Sequence, residues 1–419
     1  MARATDGGRL PDLAGAEWLV RPPTRAVFAA LTSQGAEARA VGGAVRNALM
    51  GTPVKDVDIA TTALPPDVMR LAAEAGLHAV PTGLEHGTVT VVAQHVPFEV
   101  TTLRKDIETF GRHARVTFTT DWTEDARRRD FTMNALYCGA EGTVHDPLGG
   151  YPDLVARRVR FIGNARERIR EDYLRILRFF RFLAEYGNAA APDPDGLAAA
   201  IAETPGLAGL SGERIRAELL ALLAAPGAVD AVRAMSQAGL LAPLLGWPGH
   251  VELLARLEGI EDSLGRDADP VLRLAALAYE PPDGPATLQK RLRLSAAETA
   301  RLARATAGDP AFDPQTSERT AQSYIYRHGA QAFVDGALVA WARSSDAPTA
   351  EPRARRVGLP ERWRAPECPV RGADVLALGV APGAEVGRVL AAFEEWWIAR
   401  GFPTDPKQVA DKLSELVRA

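Results

Sequence analysis

With 419 residues and 47% hydrophobic content, the chain can fill roughly two to four separately cored domains. Its formal charge of −4 excludes a uniformly basic coat, so a polyanion such as nucleic acid must be met by a local patch. No apolar run approaches the ~20 residues that span a bilayer, and Met1 to Leu13 is too polar and Gly-rich for a signal peptide, so a cytoplasmic protein without membrane contact is expected.

The two cysteines, Cys138 and Cys368, are far apart and lack the paired spacing of a zinc site or a disulfide framework. The first ~150 residues alternate short β-branched runs with glycine punctuation and brief helical stretches, the pattern of a mixed α/β domain. Examples are Asp56 to Ala60, Thr88 to Ala93 and Phe98 to Leu103. From Asn164 onward Ala/Leu/Arg/Glu-rich helical windows take over. Breaks are expected at Gly187 to Gly196, Glu280 to Pro285 and the Pro/Arg-rich stretch Asp346 to Pro369, the last reading as a linker.

In chain order, the first candidate site is Ala40-Val41-Gly42-Gly43-Ala44-Val45-Arg46, a strand running through two glycines into a helix. Residues without side chains at such a turn let backbone N–H groups approach a triphosphate, and Arg46 adds positive potential. Taken alone, a Gly-Gly pair is more often just a tight turn. Thirteen residues after Gly43 comes Lys55-Asp56-Val57-Asp58-Ile59, where acids alternate with aliphatics. On a strand, both carboxylates would project from one face while Val57 and Ile59 enter the core. Two hard oxygen ligands side by side can hold Mg²⁺ against substrate phosphates. An isolated Asp-x-Asp is commonly a bland solvated edge, so the neighbouring turn carries the weight.

These residues, Gly-Gly-Ala-Val-Arg-Asn-Ala-Leu-Met-Gly followed by Asp-Val-Asp, resemble the first motif of class II tRNA nucleotidyltransferases and bacterial poly(A) polymerases. That superfamily shares a catalytic core related to DNA polymerase beta. The resemblance implies an α+β protein: a small mixed-sheet nucleotidyltransferase head followed by an all-helical neck, body and tail. It implies Gly42, Gly43 and Arg46 at the triphosphate and Asp56 and Asp58 as the catalytic, Mg²⁺-binding pair. Asn47 departs from the family's usual Asp and removes a charge beside Arg46.

Further along, Phe98-Glu99-Val100 alternates like a strand and offers Glu99 either as a third metal carboxylate or as an exposed edge residue. Gly111-Arg112-His113-Ala114-Arg115 resembles the end of the family's mobile loop. Arg128-Arg129-Asp130-Phe131-Thr132-Met133-Asn134 offers guanidiniums and a carboxylate that can grip phosphate and ribose; the resemblance implies ribose recognition by Arg129 and Asp130.

Between Pro152 and Arg181 nine arginines face four acids, a local surplus of five. Within this patch Asp172, Arg175, Arg178 and Arg181 are expected to step down one helix as an i, i+3 ridge. Ordinary i, i+4 pairs, Glu171 with Arg175 and Arg168 with Asp172, explain the same spacing. The resemblance implies base selection by Asp172 and Arg175, with Arg178 and Arg181 on nucleotide or primer. Ser211 to Leu219 resembles the helix that buttresses this site, with Ser211 a good N-cap.

The implied domains are 1–150 head, 151–220 neck, 221–345 body, and 346–419 linker and tail. The implied partners are CTP, ATP and tRNA, gripped at its acceptor end and elbow, with no obligate protein partner. The implied reaction is template-independent CCA addition. Poly(A) polymerase, CC- or A-only addition, and a non-catalytic RNA-binding scaffold are the alternatives.

Overall fold

A computed structural model describes residues 10–110, 113–280 and 284–418. The chain forms two compact units, Met1–Pro248 and Gly249–Ala419.

The first unit is built on β1 (Ala38–Val41), β2 (Asp58–Thr61), β3 (His78–Gly83), β4 (Thr88–Ala93), β5 (Val96–Thr102), β8 (Tyr137–Gly139) and β9 (Val144–His145). They form one mixed sheet in the order β3-β4-β5-β2-β1-β8-β9, in which β2 and β5 are parallel and the other pairs antiparallel. The side-chain period of two divides the sheet into faces with different fates. Ala40, Ile59, Val89, Val91, Phe98 and Val100 are buried on one face, beneath the helices Pro22–Thr32 and Pro65–Glu74. Burying such a Val, Ile or Phe contributes about 1.5–3 kcal/mol each, which fixes the register and forces the intervening residues to the opposite face.

That opposite face carries a smaller core of Val41, Ala60 and Tyr137 with Leu103, Ala126, Ala135 and Ile162. Beside the sheet, β6 (Arg104–Phe110) and β7 (His113–Phe118) form a separate antiparallel hairpin. Gly111 and Arg112 of the expected loop segment, and the side chains of His113 and Arg115, lie outside the described residues.

No strand occurs after β9 among the described residues, as expected from the sequence. The helix Leu174–Glu185 packs on Gly212–Ala224 and Ala228–Gln237. Phe179 and Phe182 of this helix meet Phe131 from the head, at ring separations of 6.4 and 5.1 Å. Aromatic packing thus ties the ridge helix to the segment holding Arg129 and Asp130.

The second unit is helical among its described residues. Arg301 bridges Asp269 and Asp335 across three helical segments, and a terminal core gathers Val375, Val389, Phe393 and Trp397. The stretch from Asp346 to Pro369, expected to be a linker, contains the helices Glu351–Val357 and Leu359–Arg362. Arg356 organises it by donating to the carbonyls of Asp313 and Thr316. No helix of the described residues is long and apolar enough to cross a membrane.

Candidate active site

The alternation of the acid segment is kept in burial. Val57 and Ile59 are buried, whereas Asp56 and Asp58 are exposed. The strand itself begins only at Asp58, so Asp56 extends from the segment leading into it. In the parallel register Ile59 lies opposite Val100, which sets Asp58 beside Glu99 one step earlier. Asp58 also pairs with Val41, the residue before Gly42. Loss of water against the sheet, then the negative charges of Glu99 and Asp56, push the Asp58 carboxyl above its usual range, with Arg129 opposing. The raised value marks a carboxylate whose charge neither water nor Arg129 fully compensates.

The glycine turn is built as its sequence requires. Gly42 has φ +67° and ψ −115°, a conformation in which a Cβ is strained. Gly43 opens the helix Gly43–Met50, whose first N–H groups lack helical partners. Arg46, expected at the triphosphate, turns inward instead. It is 6% exposed, and its guanidinium donates to Oδ1 of Asn134, Oδ1 of Asn47 and the hydroxyl of Tyr186. Its charge lies 3.9 Å from the centre of the Tyr186 ring, a cation–π contact. Burial lowers its pKa even with Tyr186 and Glu185 nearby. The Asn47 amide thus supplies an acceptor where the family's usual Asp would supply a charge.

Arg129 occupies the space beside the turn. A Cβ built on Gly42 would stand 3.9 Å from its Nη1. Asp125, absent from the sequence reading, holds this arginine: Oδ2 accepts from Arg129 Nη2 at 3.0 Å and from the Tyr137 hydroxyl at 2.8 Å. Its spacing of three and four residues from Arg128 and Arg129 was visible in the sequence, but Tyr137 completes the group only in the fold.

Asp130 is 9% exposed and spends both oxygens internally. Oδ1 accepts from the Phe131 N–H and Asn134 Nδ2, and Oδ2 accepts twice from Arg178. Burial would raise this carboxyl, but Arg178 and the hydrogen bonds override it and hold it at about 2.

The ridge differs from expectation at its first member. The chain forms two helices, Ala165–Glu171 and Leu174–Glu185, with Asp172 extended between them at φ −154°. Asp172 therefore leaves the ridge: Oδ1 accepts from the Leu174 N–H at 3.1 Å and Oδ2 from Arg214 Nη2 at 2.6 Å. Arg168 pairs with Glu171 rather than with Asp172, while the expected pair of Glu171 and Arg175 forms. Arg175, Arg178 and Arg181 remain on one helix. Glu218 of the buttressing helix lies 3.6 Å from Arg178 and 2.6 Å from Arg181. Arg214 and Glu218 are thus site residues that sequence reasoning placed only as a buttress. Ser211 stands at the N-cap position but makes no side-chain cap bond.

Asp58 and Glu99 therefore lie side by side on the sheet near the Gly42 turn and Arg129, with Asp56 just ahead of the strand, and Asp130 links this shelf to the ridge through Arg178. A separate cavity of about 610 Å³, walled by residues such as Arg160, Arg166 and Asp193, includes none of these residues.

Residues 38–160 match the family described as "Poly A polymerase head domain", and 191–253 match "Probable RNA and SrmB- binding site of polymerase A". "CCA tRNA nucleotidyltransferase 1, mitochondrial" of Mus musculus is 36% identical over 392 residues, 90% of this chain and 87% of its own length. The chain belongs to the CCA tRNA nucleotidyltransferase family.

"CCA-adding enzyme" of Geobacillus stearothermophilus is 41% identical over 240 residues, 56% of this chain and 58% of that protein. The crystal structure of the Bacillus stearothermophilus CCA-adding enzyme in complex with CTP superposes with a TM-score of 0.72 at 29% identity, covering 94% of this chain and 98% of that one. Asp56, Asp58, Glu99, Asp125 and Asp130 fall inside the first matched span, whereas Asp172 to Arg181 fall between the two spans.

Members of this family are nucleotidyltransferases that use a divalent metal ion. The donor set fits such an ion. Asp56 and Asp58 are hard oxygen donors, exposed, and the raised Asp58 carboxyl signals charge that a cation would relieve. Among the described residues no group of three or more acids, His or Cys forms a closed cage. A divalent ion that keeps waters and takes one or two carboxylates together with substrate phosphates does not need one.

Proposed function

We propose that this protein completes the 3′ end of tRNA, transferring CMP and AMP from CTP and ATP without a nucleic-acid template and releasing pyrophosphate. The observation that carries the reading is Asp58, exposed at the start of its strand beside Glu99 and within charge range of Asp56, next to the Gly42 turn and the Arg129 guanidinium. In the reaction a tRNA 3′-hydroxyl oxygen bonds to the α-phosphorus, the bond to the β-phosphate oxygen breaks, and the hydroxyl proton passes to solvent. Asp56 and Asp58, with Glu99 alongside, would hold Mg²⁺, which would supply charge neutralisation and a more acidic attacking hydroxyl.

The chain's own residues position the reactants. The Gly42–Gly43 turn, through the N–H groups that open its helix, and the Arg129 guanidinium receive the triphosphate, while the Gly42 N–H itself donates to the Leu136 carbonyl and anchors the turn. Arg46 supports this turn from behind by tying its helix to Asn134 and Tyr186. Asp130 and Arg178 form one unit at the ribose edge. Asp172 and Arg175 offer an acceptor and donors to the pairing edge of the base, a match that protein side chains can make for cytosine or adenine. Arg181 faces the primer end. In the structure Arg175 and Arg181 are paired with Glu171 and Glu218, so substrate binding at these two exchanges partners rather than ordering free side chains.

The head is assigned to 1–150, the neck to 151–220, the body to 221–345, and tRNA-elbow binding to 346–419. A cytoplasmic location belongs to this reading, and two unpaired thiols are in keeping with a reducing compartment.

The description of the head family as a poly(A) polymerase domain favours one second reading, homopolymeric AMP addition. A single experiment separates the readings: incubation with tRNA lacking its 3′ end, Mg²⁺, and CTP or ATP singly and together. Two additions with CTP and a third only when ATP joins support CCA addition. Long ladders with ATP alone identify a poly(A) polymerase, arrest after CC or A a partial enzyme, and no extension at all a binding protein.

A further inference from the structure

We propose that Asp125 is a positioning residue for nucleotide binding: with the Tyr137 hydroxyl it fixes the Arg129 guanidinium so that Nη1 meets a phosphate oxygen of the incoming nucleotide.

Three groups close a ring of hydrogen bonds. Arg129 donates from Nε to the Tyr137 oxygen at 3.2 Å and from Nη2 to Asp125 Oδ2 at 3.0 Å, and the Tyr137 hydroxyl donates to the same Oδ2 at 2.8 Å. A planar guanidinium held along its Nε/Nη2 edge cannot swivel, so the direction of its third nitrogen is set. That nitrogen stands 3.9 Å from where a Cβ of Gly42 would be, at the mouth of the helix Gly43–Met50. No hydrogen bond among the described residues ends on Nη1, although Arg129 keeps only 18% of its side-chain surface exposed.

The other carboxylate oxygen is also occupied. Asp125 Oδ1 accepts from Arg128 Nε at 2.8 Å, and the Arg104 backbone N–H lies 3.5 Å away, at the start of the β6–β7 hairpin. Asp125 has no exposed surface, so it acts on a ligand only through Arg129. Burial and the neighbouring carboxylate raise the Tyr137 phenol, which therefore stays protonated as the donor that the ring requires.

The proposal rests on Arg129 being a nucleotide-binding residue, and the test separates the two claims. Steady-state CTP incorporation is measured for Arg129→Ala, Asp125→Asn, Tyr137→Phe and the double variant Asp125→Asn/Arg129→Ala, with thermal unfolding of each. Asp125→Asn is expected to raise KM for CTP about tenfold with little change in kcat, since an amide presents N–H where Arg129 needs an acceptor. Tyr137→Phe is expected to raise it about threefold, and the double variant to be no worse than Arg129→Ala. An unchanged KM in Arg129→Ala sinks the nucleotide-binding reading. A raised KM in Arg129→Ala with normal values in Asp125→Asn and Tyr137→Phe, or additive effects in the double variant, overturns the positioning role. If Asp125→Asn does not fold, Tyr137→Phe, which removes one oxygen, decides alone.

Discussion

Arg178 grips a single oxygen of Asp130 with two nitrogens, Nε at 2.9 Å and Nη2 at 2.5 Å, and so joins the neck helix to the head segment that carries Arg129. The pair is 48 residues apart in sequence and shielded on the acid side, where only 10% of the Asp130 side chain is exposed.

This pair makes an acid-stability prediction with a definite sign. The Asp130 carboxyl is held at about 2 against an ordinary value of 3.8, so the folded state prefers the charged form. Its contribution is present above pH ~4 and fades as pH falls toward ~2, and the depression corresponds to about 2 kcal/mol. Arg178→Ala is expected to cost about 3 kcal/mol at neutral pH, because it strands a buried carboxylate. Thermal unfolding between pH 7 and 2 checks both: in Asp130→Asn the decline below pH 4 should be shallower than in the unmutated protein.

Asp58 should behave in the opposite way. Its carboxyl is raised above the ordinary range, so the folded state disfavours its charge, and the associated destabilisation grows as pH rises through that carboxyl. Asp58→Asn is therefore expected to hold or slightly raise the unfolding temperature while nucleotide addition falls at least about a thousandfold. Mg²⁺ should raise the unfolding temperature of the unmutated protein and leave that of Asp58→Asn nearly unmoved. Half-saturating Mg²⁺ should also increase at lower pH, since the metal must displace a proton. Substantial activity in Asp58→Asn would remove this residue from the metal site.

The exposure of the acid pair was legible because its information is local: Val57 and Ile59 are buried, and Asp56 and Asp58, which alternate with them, stay exposed, although only Asp58 lies in the strand. The helical break at Asp172 was not. The i, i+3 spacing continues through it, and the residue that draws Asp172 aside is Arg214, 42 positions away. The inward contacts of Arg46 were hidden for the same reason. A cation after a glycine turn reads as a phosphate ligand, and its bonds to Asn134 and Tyr186, 88 and 140 residues distant, appear only in the fold. Local periodicity thus determined faces, while ownership of charged side chains depended on tertiary neighbours.

Gly42 gives a prediction about strain rather than space. Its φ is +67°, yet a Cβ there would meet only the Asn134 carbonyl at 3.6 Å and Arg129 Nη1 at 3.9 Å. Gly42→Ala is expected to cost about 1–3 kcal/mol from backbone conformation and to raise the KM for CTP. Gly43→Ala is the control, since its Cβ would lie 3.8 Å from Arg46 Nη2 and its φ is not in the left-handed region. Equal losses in the two variants would show that crowding, not strain, governs the turn.

Arg214 tests whether base choice depends on how Asp172 is aimed. With Asp172 off the ridge, its two oxygens are set by the Leu174 N–H and by Arg214 Nη2 at 2.6 Å. Removing Arg214 leaves the backbone bond alone, and a carboxylate with one tether can rotate to accept from a wrong base. Arg214→Ala is therefore expected to raise UTP incorporation relative to CTP by about tenfold, close to 1.4 kcal/mol of lost discrimination, with a smaller fall in the CTP rate itself. Single-turnover extension of tRNA lacking its 3′ end, run with each nucleotide separately, measures this ratio. A ratio unchanged from the unmutated protein would reduce the contact between Arg214 and Asp172 to a brace between two helices, and would leave Arg175 as the principal determinant of the base.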